Sequence, residues 1–262
     1  MRVPTSRPAP PWSPSAPRRW PTRACPRASP ASWPVAELIV ALDLPSGSDA
    51  LALADRLPGL AWAKLGPVLY VQEGPALVRE FAARGVRVFL DLKWHDIPTV
   101  VAGAVAAARD LGAAMATVHC LGGPEMLAAA RTAAGNGDFA LVGVTVLTSH
   151  DAAGFEQVVG RGVPDLGFEA ERLAKVAMQA GLRGVVASGH ELGLLRETLG
   201  TGPWLVVPGV RLPGDGSGDQ RRTVTPRDAV RGGATHLVVG RSITAARDPA
   251  AAYQAVREAM ES

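Results

Sequence analysis

The short apolar runs of this sequence are almost uncharged, and most of the charges that interrupt them stand near their C-terminal ends. The octapeptide Asp91-Leu92-Lys93-Trp94-His95-Asp96-Ile97-Pro98 ends an apolar run with an aspartate, a lysine two residues on and a second aspartate three further. On an extended strand, residues two apart leave the same face, so Asp91 and Lys93 are expected side by side, with Asp96 where the strand yields to a loop. With Lys64 nearby, such a set alternates in sign and would hold each group in its charged form. The bare pattern also fits a structural ion pair, so by itself it predicts only an ionised cluster. A second kind of chemistry is suggested by Gly240-Arg241-Ser242-Ile243, where backbone N–H groups at a helix start plus a guanidinium suit a phosphate dianion. The glycine-rich stretch from Pro208 to Gln220, which contains Arg211, has neither the spacing of a P-loop nor that of a dinucleotide fingerprint.

The elements that must position these groups alternate along the chain. Short apolar runs at Leu38–Asp43, Ala61–Leu65, Val86–Lys93, Met115–His119, Ala140–Leu147, Gly184–Ser188, Trp204–Pro208 and His236–Gly240 predict eight strands. Leu38 to Leu42 is apolar at every position, as expected of a parallel strand buried on both faces. Amphipathic stretches predict helices from Ser48 or Asp49 to Leu57, from Gly74-Pro75 to Arg84, and over Ile97–Leu111, Pro124–Ala134, Phe168–Ala180, Glu191–Leu199, Pro226–Arg231 and Pro249–Glu261. Gly85, Gly112, Gly135, Gly181, Gly200 and Gly232 follow helices and predict left-handed caps. Eight strand–helix units predict a single (β/α)8 TIM barrel over residues 35–262, with an open doubly wound sheet as the alternative. In such barrels the working residues lie at the C-terminal strand ends. Those ends gather Asp43, Lys64, Asp91, Lys93, His119, Thr148, Ser188, Arg211, Gly240 and Arg241. The loops after strands seven and eight are then placed to bind phosphate.

Composition excludes several classes. The formal charge is +3, but residues 1–34 hold six arginines and no acid, leaving 21 basic against 24 acidic residues in the body. The basic character therefore belongs to the tail, which argues against nucleic acid as a partner. Ten of the 22 prolines also lie in residues 1–34, so neither helix nor ladder can propagate there, and a disordered extension is expected. No run approaches the roughly 18 apolar residues that span a membrane. Cys25 and Cys120 have no zinc spacing and are poor candidates for a disulfide, pointing to a reduced, cytoplasmic protein. His95, His119 and His236 are scattered singly and predict no metal site. His119 is expected to be a hydrogen-bonded core histidine and Cys120 inert packing. Trp62, Trp94 and Trp204 are expected to fill space between barrel and helices.

Taken in order, Leu38–Asp43, Lys64, Asp91–Pro98, Val144–Ser149, Pro208–Arg211, Gly218-Asp219-Gln220-Arg221-Arg222 and Val239–Ser242 resemble bacterial orotidine 5′-phosphate decarboxylases over residues 37–262. The His-Asp-Ile-Pro continuation and the Gly-Asp-Gln-Arg-Arg segment carry most of the specificity. The resemblance implies cofactor-free and metal-free decarboxylation of orotidine 5′-phosphate to UMP. It implies Lys93 as general acid, Asp91 beside the substrate carboxylate, Lys64 bonding Asp91 and ribose, and Asp43 on the ribose hydroxyls. Asp96 would reach the neighbouring subunit's site, making a homodimer with composite sites. Thr148 would contact the pyrimidine, Gln220 would bridge base and phosphate, and Arg211, Gly240 and Arg241 would bind phosphate. One departure is local: the family commonly carries a threonine two places after Ile-Pro, whereas here Thr99 precedes Val100.

Two rivals share the barrel. Metal-dependent sugar-phosphate decarboxylases or aldolases place a carboxylate at the end of strand two to hold Mg²⁺, where this chain has Lys64, a cation that repels a metal. A catalytically silent phosphate-binding barrel would not need both Asp91 and Lys93.

Overall fold

Eight parallel strands close into a barrel in chain order in the computed structural model, which describes residues 35–212 and 222–261. The expectations for residues 1–34, Cys25 and Gln220 lie outside the described residues. The strands are β1 (Glu37–Ala41), β2 (Trp62–Leu65), β3 (Arg87–Trp94), β4 (Met115–His119), β5 (Ala140–Val144), β6 (Gly184–Val186), β7 (Trp204–Val207) and β8 (His236–Val239). β1 pairs with β2 through Val40 and Ala63 and with β8 through Ile39 and Val238, so the open-sheet alternative fails. Several strands end earlier than the apolar runs suggest. Asp43, Leu147, Ser188, Pro208 and Gly240 lie beyond the ladder, in the loops that form the mouth.

The helices are α1 (Gly47–Asp55), α2 (Pro67–Glu73), α3 (Pro75–Ala83), α4 (Pro98–Asp110), α5 (Gly123–Ala134), α6 (Ala152–Val159), α7 (Leu166–Gln179), α8 (Leu192–Leu199), α9 (Pro226–Arg231), α10 (Arg241–Thr244) and α11 (Pro249–Glu261). Of these, α2 and α6 have no counterpart among the sequence-based expectations, being too short to show a helical period, whereas α10 is the helix start expected at Gly240-Arg241. Ser46, not Ser48 or Asp49, caps α1 by accepting from Asp49 N at 3.1 Å. Gly85, Gly112, Gly135, Gly181 and Gly200 take positive φ as expected. Gly232 does not; it keeps a helical φ of −74°, and Gly233 at 91° makes the left-handed turn one residue later.

Strand pleat sorts every side chain into barrel interior or helix-facing layer. Val40, Leu42, Ala63, Leu65, Val88 and Leu90 face outward into the main core beneath the helices. Ile39, Ala41, Phe89, Met115, Val142, Val206 and Val238 form the interior layer. Burying Phe89 fully is worth about 3 kcal/mol of transfer free energy. Trp62 and Trp204 belong to this interior layer and close the barrel floor, which corrects the expectation that they pack outside. Their position follows from parity, since Trp62 is two residues from the inward Lys64. Trp94 does pack against the outer core.

Candidate active site

The period of two that buries Ile39 and Phe89 also delivers charge to the mouth. Asp43 follows β1 on the parity of Ile39, Lys64 follows Trp62 on β2, and Asp91 follows Phe89 on β3. Their side chains meet at the C-terminal end of the barrel around a cavity of about 440 Å³. Lys64 Nζ donates to Asp43 Oδ1 at 2.8 Å and stands 3.7 Å from Asp91 Oδ2. Lys93 Nζ lies 2.9 Å from both Asp91 oxygens. The four groups therefore form a row of alternating sign, Asp43–Lys64–Asp91–Lys93. Lys64 and Asp91 are buried, so their mutual attraction is screened far less than that of a surface pair.

Asp91 and Lys93 do not come together by simple strand alternation. The β3–β4 register runs Leu90↔Ala116 and then Trp94↔Val118, so β3 carries two extra residues in this interval. Within this bulge Lys93 takes φ 50°, the only left-handed residue other than glycine among the described residues. Such a conformation costs on the order of 1 kcal/mol or more, and bulges of this kind re-aim side chains beside functional sites. Thr117, fully buried on β4, repairs the ladder. Its Oγ1 accepts from Lys93 N at 2.8 Å and donates to Asp91 Oδ1 at 3.1 Å. One hydroxyl thus fixes both the backbone of Lys93 and the carboxylate that holds its ammonium.

The opposite wall comes from the loops after β5, β7 and β8. Thr148, Arg211, Gly240 and Arg241 all line the same cavity as Asp43, Lys64, Asp91 and Lys93. The Arg211 guanidinium donates to Val210 O at 2.8 Å. Gly240 precedes α10, whose first turn has no side-chain cap. Asp96 is not in this cavity. It is exposed, bonds its own loop through Ile97 N at 2.7 Å, and lines a separate shallow depression with His95, Pro98 and Glu125. Within one chain Asp96 is therefore not part of the charged row. Ser188 is also a structural group: it caps the single turn Gly189–Glu191, with Glu191 returning the bond to Ser188 N at 2.9 Å.

His119 is hydrogen-bonded as expected, its Nδ1 accepting from Leu121 N at 3.3 Å. Burial, with His95, Lys93 and His150 nearby, lowers its pKa to about 4, so the ring is neutral beside Lys93. Burial pushes the Cys120 thiol up to about 12, in keeping with inert packing. Among the described residues, no three His, Cys, Asp or Glu side chains gather as metal ligands.

Comparison with known proteins bears on what this constellation is. The family model described as "Orotidine 5′-phosphate decarboxylase / HUMPS family" matches residues 36–256. The chain belongs to this family. A relative from Halorhodospira halophila, named orotidine 5′-phosphate decarboxylase, is 52% identical over 84% of this chain and 93% of its own length. One of the same name from Alkalilimnicola ehrlichii is 52% identical over 82% of this chain and 92% of its own. The crystal structure of orotidine 5′-phosphate decarboxylase from Lactobacillus acidophilus superimposes with a TM-score of 0.77 at 32% identity, covering 87% of this chain and all of that one.

Two positions in this member of the orotidine 5′-phosphate decarboxylase / HUMPS family escape a reading of its sequence. Thr117 lies in the middle of an apolar strand, and its only signal is an inward parity shared with His119. Gly66 precedes α2, and a Cβ there would stand 2.6 Å from Asp43 Oδ1 and 3.2 Å from Lys64 Nζ. Only a glycine lets the two charged ends meet against the backbone.

Proposed function

We propose that this chain decarboxylates orotidine 5′-phosphate to UMP, the last step of de novo pyrimidine nucleotide synthesis, without a cofactor and with Lys93 as the general acid. The observation that carries this assignment is the Lys93 ammonium, held at 2.9 Å by both oxygens of Asp91 in the cavity that also contains Arg211 and Arg241. Loss of carbon dioxide leaves electron density at C6 with no adjacent carbonyl to delocalise it. A cation already in place stabilises that charge without reorganisation and then supplies the proton. Asp91 stands beside the substrate carboxylate, disfavouring the ground state, and holds the Lys93 ammonium in place. Lys64 and Asp43 take the ribose hydroxyls, and Thr148 takes the pyrimidine. Arg211, Gly240 and Arg241 bind the phosphate, with Gln220 bridging phosphate and base. Binding energy from the phosphate is then available to the chemistry at the ring.

The working form in this proposal is a cytoplasmic homodimer in which Asp96 completes the partner's site. Exposed apolar side chains beside Asp96 support this, with Ile97 62% and Val100 50% accessible. Val100 then stands where a threonine hydroxyl would face the partner's ribose, so that single contact is missing.

The decisive assay follows the absorbance loss of orotidine 5′-phosphate with purified protein and added chelator. Turnover that survives EDTA is expected; no turnover would sink the assignment, and turnover abolished by EDTA would favour a metal-dependent sugar-phosphate enzyme. Mixing inactive Lys93→Ala and Asp96→Ala proteins should regenerate dimers with one intact site and partial activity. Absence of rescue would count against a shared site.

A further inference from the structure

Behind the cavity wall, and outside its lining, Arg222 ties together three loops of the barrel mouth. Its Nη1 pairs with the carboxylate of Glu191, which is 3% exposed. Its Nη2 reaches Leu147 O at 3.2 Å and Val146 O at 3.4 Å, directly before Thr148. Glu191 in turn accepts from Ser188 N in the loop that follows β6. The segment that carries Arg222 is fixed independently of this pair. His190 Nε2 meets Thr223 O at 3.1 Å, and Val224 bridges to Val210, with Arg211 N donating to Val224 O at 3.0 Å. A Cβ on Gly189 would strike Val224 at 2.6 Å, so the turn after β6 is moulded to this strand.

The arrangement is more elaborate than stability requires. Burial raises the Glu191 pKa even with Arg222 beside it, and the buried Arg222 Nε finds no hydrogen-bond partner among the described residues. A buried ion pair with an unmet donor is often no more stable than an apolar pair of the same size. What it does supply is geometry: one rigid guanidinium fork fixes the Leu147–Thr148 wall relative to the Gly209–Arg211 wall.

We propose that Arg222, braced by Glu191, is a positioning residue for the same reaction: it sets the separation between the Thr148 wall and the Arg211 wall, and hence the fit of the nucleotide. This rests on the decarboxylase reading above. Neither side chain lines the cavity, so the effect travels through the carbonyls of Val146 and Leu147 and through the Val210–Val224 bridge.

The test compares Arg222→Lys, Arg222→Met and the double variant Glu191→Gln/Arg222→Met with the unaltered protein. Melting temperature, UMP affinity, and KM and kcat for orotidine 5′-phosphate are measured for each. Arg222→Met should melt lower, because Glu191 is left buried and unpaired, and should weaken UMP binding and raise KM by about tenfold with a much smaller change in kcat. In the double variant the uncharged amide side chain still accepts from Ser188 N, so the melting temperature should recover while KM and UMP affinity do not. Arg222→Lys should melt near the unaltered protein yet still bind UMP more weakly, because one ammonium cannot serve Glu191 and both carbonyls. Recovery of KM together with stability in the double variant would reduce Arg222 to a structural residue and overturn the proposal, as would normal UMP affinity in Arg222→Met. If the unaltered protein binds UMP without turnover, the decarboxylase reading fails, and the affinities still decide the role of Arg222. If it binds no UMP, both fall.

Discussion

The two ends of the barrel are built by the same strands and use the same ingredients, yet they do opposite things with charge. At the floor, Glu37 accepts from Arg87 at 3.0 and 2.5 Å and from Trp62 Nε1 at 3.0 Å. His236 lies between Trp62 and Trp204, with ring centroids 5.5 and 4.4 Å away, and Arg183 stands 5.1 Å over Trp204. Arg87 and Arg183 are thus engaged by a carboxylate or a ring. At the mouth, Asp43, Lys64, Asp91 and Lys93 also pair with one another, but among the described residues no aromatic ring stacks on them. The floor even has the larger depression, about 1010 Å³ against about 440 Å³ at the mouth. Cavity size therefore does not mark the site. What marks it is buried charge of both signs converging on open space at the strand ends where a barrel places its loops.

The contrast can be broken in order of expected effect. Lys93→Ala should reduce turnover by at least about 10³-fold, the range for a lost electrostatic stabiliser that is also the acid, while UMP still binds. Near-normal rates would refute Lys93 as the acid. Gly66→Ala should lower kcat/KM by about tenfold, because the added methyl displaces Asp43 from Lys64, with little change in melting temperature since Asp43 can swing into solvent. An unaltered kcat/KM would show that the Asp43–Lys64 contact is dispensable.

The floor should answer to pH rather than to catalysis. Burial lowers the His236 pKa to about 4, with Arg87 and Arg183 acting in the same direction and Glu37 against it. The unfolded chain protonates this ring near 6.5, before the folded protein does, so its contribution is intact above that pH and is lost as pH falls from about 6.5 to 4. The loss amounts to roughly 3 kcal/mol across that window. His236→Gln should flatten the fall of melting temperature between about pH 7 and 4.5 and leave turnover at neutral pH unchanged. His119, shifted in the same direction, remains in that variant, so the slope should shrink rather than vanish. A slope identical to the parent's would remove His236 as a titrating group.

Much of this was legible in the chain before folding. Runs such as Leu38 to Leu42 declare strands buried on both faces, and five of the six cap glycines take the φ their positions imply. Lys64, Asp91 and Lys93 could be grouped from strand order alone because a barrel brings all strand ends to one rim. Short helices such as α2 and α6 are hidden, since about two turns cannot display a period. The cap at Ser46 is obscured by Ser48 and Asp49, whose side chains offer equally good acceptor oxygens two and three residues on. For Trp62 and Trp204, size suggests the wide space between layers, whereas parity with Lys64 puts Trp62 inside.

By itself, the sequence determined the barrel, the family and the grouping of Lys64, Asp91 and Lys93, because hydrophobic period and residue type are local properties. That Asp43 joins this row and Asp96 stands outside it follows only from the folded loops. Only the tertiary structure decided how Asp91 and Lys93 meet. The two-residue spacing predicts a plain shared face, but the pair forms across a bulge with Lys93 at φ 50° and Thr117 closing the gap. That geometry depends on register against β4, twenty-four residues away, and register is set by packing between strands rather than by either strand alone. The same holds for the Arg222–Glu191 brace and for Gly66, whose roles exist only once distant loops touch.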